Sequence, residues 1–330
     1  MSSGTLEPPP LVLKHLQEDD LTEECKDLMR SLPTADQGFL YQYQGSWIPR
    51  SFMQGLLSFN KHFQAHDTDI LLVTFPKVGT TWLKSILFSL LNRVRYDPNA
   101  QQHPLLTTHP HELVPILEID IYGGKQVLEL THLTSPRLLS THLPYSLLTR
   151  SVKDSMCKIV YLCRNPKDTF VSLWHFQNNT RVNRGMNPST IEQDFDNFSN
   201  GISPYGPYWD HVMSYWKESL EKSKKIFFLE YEKMKEQPTI CLKKLAEFLD
   251  CAFSPEEEVK NVVNDIVRLC SFENLSNLEV NKNGKYLAAN KAAFFRRGEV
   301  GDWKNHLTAE MSETLDRITE EKFHSVGLKF

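Results

Sequence analysis

The chain has 330 residues, 40% hydrophobic and 24% charged, with a formal net charge of −4. That slight acidity argues against a nucleic-acid binder, and no run approaches the roughly 18 apolar residues of a membrane span. Length alone allows about two domains, but an α/β chain of this size often forms one compact unit. The N-terminus carries Pro8, Pro9 and Pro10 in succession and has neither a basic nor an apolar signal segment. Residues 1–15 therefore read as a disordered tail and residues 16–330 as one domain, with an acidic helical pattern over 16–31. The six cysteines form no C-x-x-C pair and read as reduced, buried thiols. The N-x-S/T matches at Asn178, Asn197 and Asn274 carry no weight without a secretory signal, so the cytoplasm is the simplest location.

In chain order, Ile70-Leu71-Leu72-Val73-Thr74 reads as a buried parallel strand. Apolar residues at Trp82, Leu83, Ile86, Leu87, Leu90 and Leu91 then mark one face of a helix. Between them lies Phe75-Pro76-Lys77-Val78-Gly79-Thr80-Thr81. Strand, Gly/Thr turn with a lysine, then helix is the layout of a phosphate-binding loop, because N–H groups at a helix start form an anion site. Further strands are expected at 137–142, 158–164 and 225–231, and helices at about 166–177, 208–221 and 238–250. Alternating strands and helices predict an α/β fold: a single three-layer domain around a central, mainly parallel sheet. Residues 97–112, 178–207 and 281–298 read as loops, long enough to shape a binding site.

Four segments could carry chemistry. The 75–84 loop departs from G-x-x-x-x-G-K-[ST]: Lys77 precedes the glycine, and no Ser/Thr follows a lysine in position to hold Mg²⁺. Arg164 ends a strand, Asn165 and Pro166 suit a helix start, and Ser172 follows nearby. Ligands bind at such strand ends in open α/β sheets, so this group could grip a second phosphate. Arg296-Arg297-Gly298 could approach a phosphate closely, since a guanidinium donates two hydrogen bonds at once. His142 sits at a strand terminus, where an imidazole suits proton abstraction at neutral pH. Each alone is also an ordinary feature: a strand–helix turn, a capped helix, a solvated basic turn, a surface histidine.

Together, in order, the segments F-P-K-x-G-T-T-W-L-K at 75–84, S-T-H-L-P at 140–144, R-N-P-K-D-x-x-x-S at 164–172 and F-F-R-x-G-x-x-G-D-W at 294–303 resemble the cytosolic sulfotransferases that use 3′-phosphoadenosine-5′-phosphosulfate (PAPS). The plant soluble type, typified by flavonol and brassinosteroid sulfotransferases, is especially similar. The resemblance runs from about residue 30 to the end. It implies sulfonate transfer from PAPS, a co-substrate, to a hydroxyl of a small acceptor: a flavonoid, steroid or other phenol or alcohol. It implies His142 as general base and Lys77 on the bridging oxygen of the leaving phosphate, with no metal. It implies that Val78, Gly79, Thr80 and Thr81 surround the 5′-phosphosulfate, and that Trp82 and Phe272 flank the adenine. It places Arg164, Ser172, Arg296, Arg297 and Gly298 at the 3′-phosphate and Tyr231 against the nucleotide.

Val78 stands where the family usually has Ser or Thr, implying one lost hydroxyl near the sulfonate. Arg297 replaces a more frequent lysine. The family's dimer motif reads Lys304-x-x-x-Thr308-Ala309-x-x-x-Glu313, and alanine at the usual valine implies a monomer or weak homodimer. Phe176, Tyr205, Tyr208 and Trp209 are expected to shape the acceptor pocket. A nucleotide kinase is the competing reading, opposed by the loop spacing and the basic turn. A non-catalytic binder is opposed by the intact Lys77, His142, Arg164 and Ser172.

Overall fold

Four short strands meet side by side: β1 (Ile70–Thr74), β2 (Leu138–Thr141), β3 (Lys158–Cys163) and β4 (Ile226–Glu230). The computed structural model that shows them describes residues 21–124, 130 and 133–329. The tail expected over 1–15, and the domain start at 16, lie outside the described residues. The strand order is β2-β1-β3-β4, and every pair is parallel. Leu71 lies opposite both Leu139 and Ile159, and Ile159 lies opposite Ile226. Every residue of β1 is buried, which is why it reads as an unbroken apolar run instead of an alternating one.

Helices flank the sheet. Helix α1 (Thr80–Asn92) follows β1, α2 (Pro166–Asn183) follows β3, and α3 (Tyr208–Glu221) precedes β4. Because the four strands are parallel, their C-terminal ends share one edge. The chain leaves that edge through the 75–79 loop, His142, Arg164 and Tyr231. Topology alone therefore gathers residues that lie up to about 150 positions apart.

Parts of the expected loops are ordered. Helix α2 runs to Asn183, and a helix at Ile191–Ser199 opens with a capping box between Thr190 and Gln193. Residues 97–112 contain a short 3₁₀ turn, Pro104–Leu106, and the start of a short helix, Pro110–Leu113. The 281–298 stretch contains a small hairpin, Lys285–Tyr286 with Ala289–Asn290. An antiparallel meander, Thr34–Ala35, Leu40–Tyr43 and Ser46–Pro49, was not foreseen. Its strands are too short to show a clear alternation. It is tied to the main body by backbone bonds between Trp47 and residues 205–206, at 2.6 and 2.9 Å.

Candidate active site

The 75–79 loop turns by placing two residues, one on each side of Val78, in left-handed conformations: Lys77 at φ 70° and Gly79 at φ 114°. Gly79 is required twice over. Its φ disfavours any side chain, and a Cβ there would lie 2.8 Å from the Tyr231 ring. Thr80 and Thr81 open α1 and line a cavity of about 720 Å³. The Lys77 ammonium sits 4.1 Å from the centre of the Phe176 ring and 3.4 Å from the Ala293 carbonyl. Burial lowers its pKa to about 7, assisted by the like charges of Arg296 and Arg164.

The Val78 side chain is fully buried in the apolar core and does not line the cavity. This corrects the expectation of a hydroxyl lost beside the sulfonate. The loop turns at Lys77 and Gly79, and the residue between them points inward.

His142 follows β2 directly and reaches the same cavity. Its Nδ1 lies 2.8 Å from the Thr74 carbonyl at the end of β1. A carbonyl only accepts, so Nδ1 carries the hydrogen and Nε2 keeps its lone pair. The surrounding peptide is held on both sides. The buried Glu118 accepts from the His142 N–H at 2.9 Å, and His211 Nε2 donates to the His142 carbonyl at 2.9 Å. Tyr161 donates in turn to His211 Nδ1 at 2.9 Å. Burial pushes the His142 pKa down to about 3, so the ring is neutral at any physiological pH. The fixed ring presents one lone pair at Nε2, while in the free protein burial and the nearby charges of Lys84 and Lys77 disfavour its protonated form.

Across the loop, Arg164 leaves β3 and lies over the Tyr231 ring at 4.4 Å. It pairs with Asp168 at 3.5 Å and donates to the Glu299 carbonyl. Asp168 also accepts from the N–H groups of Gly301 and Trp303, at 2.7 and 3.0 Å. One carboxylate thus ties the 296–303 turn to the start of α2. Asn165 caps that helix as expected, accepting from the Lys167 N–H at 2.9 Å. Arg296 pairs with Asp302 at 2.6 Å, whereas Arg297 is half-exposed. The Nε atoms of Arg164 and Arg296 are buried donors with no hydrogen-bond partner among the described residues. Such donors are costly unless a ligand meets them.

The remaining expected residues fall on the same cavity wall. Ser172, Trp82, Tyr231, Phe272 and Gly298 all line it. Trp82 meets Tyr231 edge-on at 5.5 Å, and the Tyr231 hydroxyl donates to the Gly298 carbonyl at 3.0 Å. Tyr231 begins a short helix, Tyr231–Glu236, instead of ending the strand. Gly298 has φ +67°, and a Cβ there would lie 2.5 Å from the Phe272 ring.

Of the aromatics expected around the acceptor, Phe176 and Tyr205 line the cavity. Tyr208 and Trp209 do not: both are fully buried in α3. Tyr208 packs on Phe75 and bonds the Arg164 carbonyl, and Trp209 bonds Thr319. Their role is to hold the scaffold. The meander and the turns beside it contribute lining that was missed, including Phe39, Leu40 and Phe52. Thr74, Glu118 and His211 were missed as well. A Glu in the apolar stretch Val114-Pro115-Ile116-Leu117-Glu118-Ile119 was the one sequence signal, since a carboxylate there must be paired. Among the described residues, no group of three or more His, Cys, Asp or Glu could hold a metal ion.

Comparison with known proteins decides the family. The sulfotransferase domain family matches residues 67–327. The chain belongs to the sulfotransferase family. Cytosolic sulfotransferase 11 of Arabidopsis thaliana is 46% identical, over 96% of this chain and 91% of that protein. Cytosolic sulfotransferase 5 of the same plant is 47% identical, over 96% and 99%. A solved Arabidopsis thaliana sulfotransferase structure superposes with TM-score 0.76 at 41% identity, covering 96% of this chain and 99% of that one. A mouse sulfotransferase solved with PAP gives TM-score 0.66 at 30% identity, covering 86% and 94%. This sulfotransferase therefore shares fold and family with plant relatives along nearly all its length. No helix among its described residues is long and apolar enough to cross a membrane.

Proposed function

We propose that this sulfotransferase moves a sulfonate group from PAPS to a hydroxyl of a small, largely apolar acceptor in the cytoplasm, acting as a monomer or weak homodimer. The observation that carries the reading is the convergence of Lys77 and the open Nε2 of His142 on one cavity. In this reading the acceptor oxygen attacks sulfur as its proton passes to His142 Nε2. The bond from sulfur to the 5′-phosphate oxygen breaks, and adenosine 3′,5′-bisphosphate leaves with that electron pair. Lys77 stabilises the charge that develops on the leaving oxygen, with help from loop donors at Gly79, Thr80 and Thr81. The unpartnered Arg164 Nε and Arg296 Nε, with Ser172, Arg297 and Gly298, fit a 3′-phosphate. Trp82, Phe272 and Tyr231 fit the adenosine. The aromatic and aliphatic wall around Phe39, Phe52, Phe176 and Tyr205 suits a flavonoid, a steroid or another phenol or alcohol.

The test is transfer of labelled sulfate from PAPS across a panel of hydroxyl acceptors. Wild type should turn over at least one aromatic or steroid alcohol. His142→Ala should lose about 10²–10⁴-fold in kcat. Its affinity for adenosine 3′,5′-bisphosphate should stay within about twofold, since His142 is not placed against the nucleotide phosphates. Near-full turnover by His142→Ala would remove the general-base role. Tight nucleotide binding without transfer to any acceptor would favour a non-catalytic binder.

A further inference from the structure

Lys84 is a fully buried lysine on α1 that the reaction scheme leaves without a task. It lies one helical turn beyond Thr81, on the same face. The two are joined by His111, from the short helix Pro110–Leu113. Lys84 Nζ lies 3.0 Å from His111 Nδ1 and donates to the Val114 carbonyl at 2.6 Å. His111 Nε2 lies 3.1 Å from Thr81 Oγ1.

The polarity of this chain follows from donor chemistry. While protonated, below the value of about 7 to which burial lowers it, Lys84 has three hydrogens and no lone pair, so His111 Nδ1 accepts from it. The neutral ring then carries its hydrogen on Nε2 and donates to Thr81 Oγ1. A hydroxyl has one hydrogen. With a lone pair of Oγ1 engaged by His111, the Thr81 hydrogen is left for the cavity. Burial keeps His111 neutral, which preserves the single tautomer.

We infer that Lys84 and His111 are positioning residues that orient the Thr81 hydroxyl as a donor to the 5′-phosphate of the nucleotide. This rests on the proposed nucleotide site. The arrangement makes Thr81 a directed donor and carries the influence of a buried positive charge toward the anion without exposing it. The packing of His111 against Tyr286 and Phe294, at 4.9 and 4.8 Å, holds the ring in line.

Two probes separate this role from simple support of the fold. Adenosine 3′,5′-bisphosphate carries the 5′-phosphate, and adenosine 3′-phosphate lacks it. Affinities are measured by titration calorimetry at pH 6.5, below the value of about 7 to which burial lowers Lys84. His111→Phe keeps an aromatic ring but loses both nitrogens. It should weaken the bisphosphate about 5–10-fold and leave the 3′-phosphate within about twofold. His111→Gln can donate from the place of Nε2 and should keep bisphosphate affinity within about twofold. Lys84→Met should show the same selective loss as His111→Phe, and it decides the matter with His111→Gln if His111→Phe fails to fold. Thr81→Val alone should weaken the bisphosphate about tenfold or more, and adding His111→Phe to it should cost nothing further. Equal loss of both nucleotides, additive losses in the double variant, or no loss in His111→Phe and Lys84→Met would each overturn the inference. Unchanged bisphosphate binding by Thr81→Val would instead show that the placement of the 5′-phosphate is wrong, and the inference would fall with it.

Discussion

Val78 shows how far a single residue can mislead when only its neighbours in sequence are visible. Flanked by Lys77 and Gly79, it invites comparison with a hydroxyl residue facing the sulfonate. Its side chain instead lies in the apolar core with no exposed surface. A hydroxyl introduced there would be buried among hydrocarbon. Val78→Thr should therefore cost about 1–3 kcal/mol of stability, read as a lower urea midpoint with an unchanged slope. Its kcat should stay within about twofold of wild type. A rise in kcat with no loss of stability would mean that the side chain at 78 does face the sulfonate.

At the scale of elements, the two glycines of the 296–303 turn separate ligand packing from backbone strain. Gly298 and Gly301 both have positive φ, +67° and +86°. A Cβ on Gly298 would press into the Phe272 ring, while one on Gly301 would meet nothing within 4 Å. Gly298→Ala should therefore displace Phe272 and lower affinity for adenosine 3′,5′-bisphosphate at least about tenfold. Gly301→Ala should show only the left-handed penalty of about 1–2 kcal/mol in stability, with affinity within about threefold. Equal losses of affinity in calorimetry would show that turn strain, not the Phe272 contact, governs the site. The sheet and the 75–84 loop were legible in the sequence because a buried parallel strand, a turn and a helix are each written in consecutive residues. The Asn165 cap and the strand-end placement of His142 and Arg164 were legible for the same reason. The clamp on His142 was not. Glu118 reaches it from 24 residues away and His211 from 69, and no local pattern records such contacts. Tyr208 and Trp209 were misplaced because an aromatic pair looks the same whether its helix faces a ligand or the core. Only the packing of α3 against Phe75 and Thr319 distinguishes the two.

At the scale of the molecule, the sheet edge brings Lys77 and Arg164 to a cavity that the 296–303 turn supplies with Arg296. The two arginines, although paired with Asp168 and Asp302, still act on Lys77 as like charges before any ligand arrives. Lys77 yields, because guanidinium groups hold their protons and an amine does not. Burial, then Arg296 and Arg164, bring its pKa to about 7 in the free protein. An anionic nucleotide reverses that balance and raises the value in the complex. The sign follows directly. Below pH 7 Lys77 is already charged, and binding takes up little or no proton on its account. Above pH 7 the free protein is mostly neutral at Lys77, and binding must draw a proton from solution. Affinity for adenosine 3′,5′-bisphosphate should thus fall as pH rises from 7 toward 9, by up to about tenfold per unit. Lys84, also lowered to about 7, could titrate in the same window. Lys77→Arg distinguishes them, because arginine stays charged throughout. Calorimetry at pH 8 in two buffers of different ionisation enthalpy should show an uptake approaching one proton for wild type and almost none for Lys77→Arg. Undiminished uptake by Lys77→Arg would assign the proton to Lys84. An affinity for wild type that stays level from pH 7 to 9 would mean that Lys77 remains charged in the free protein, and that the cavity tolerates three cations without a ligand.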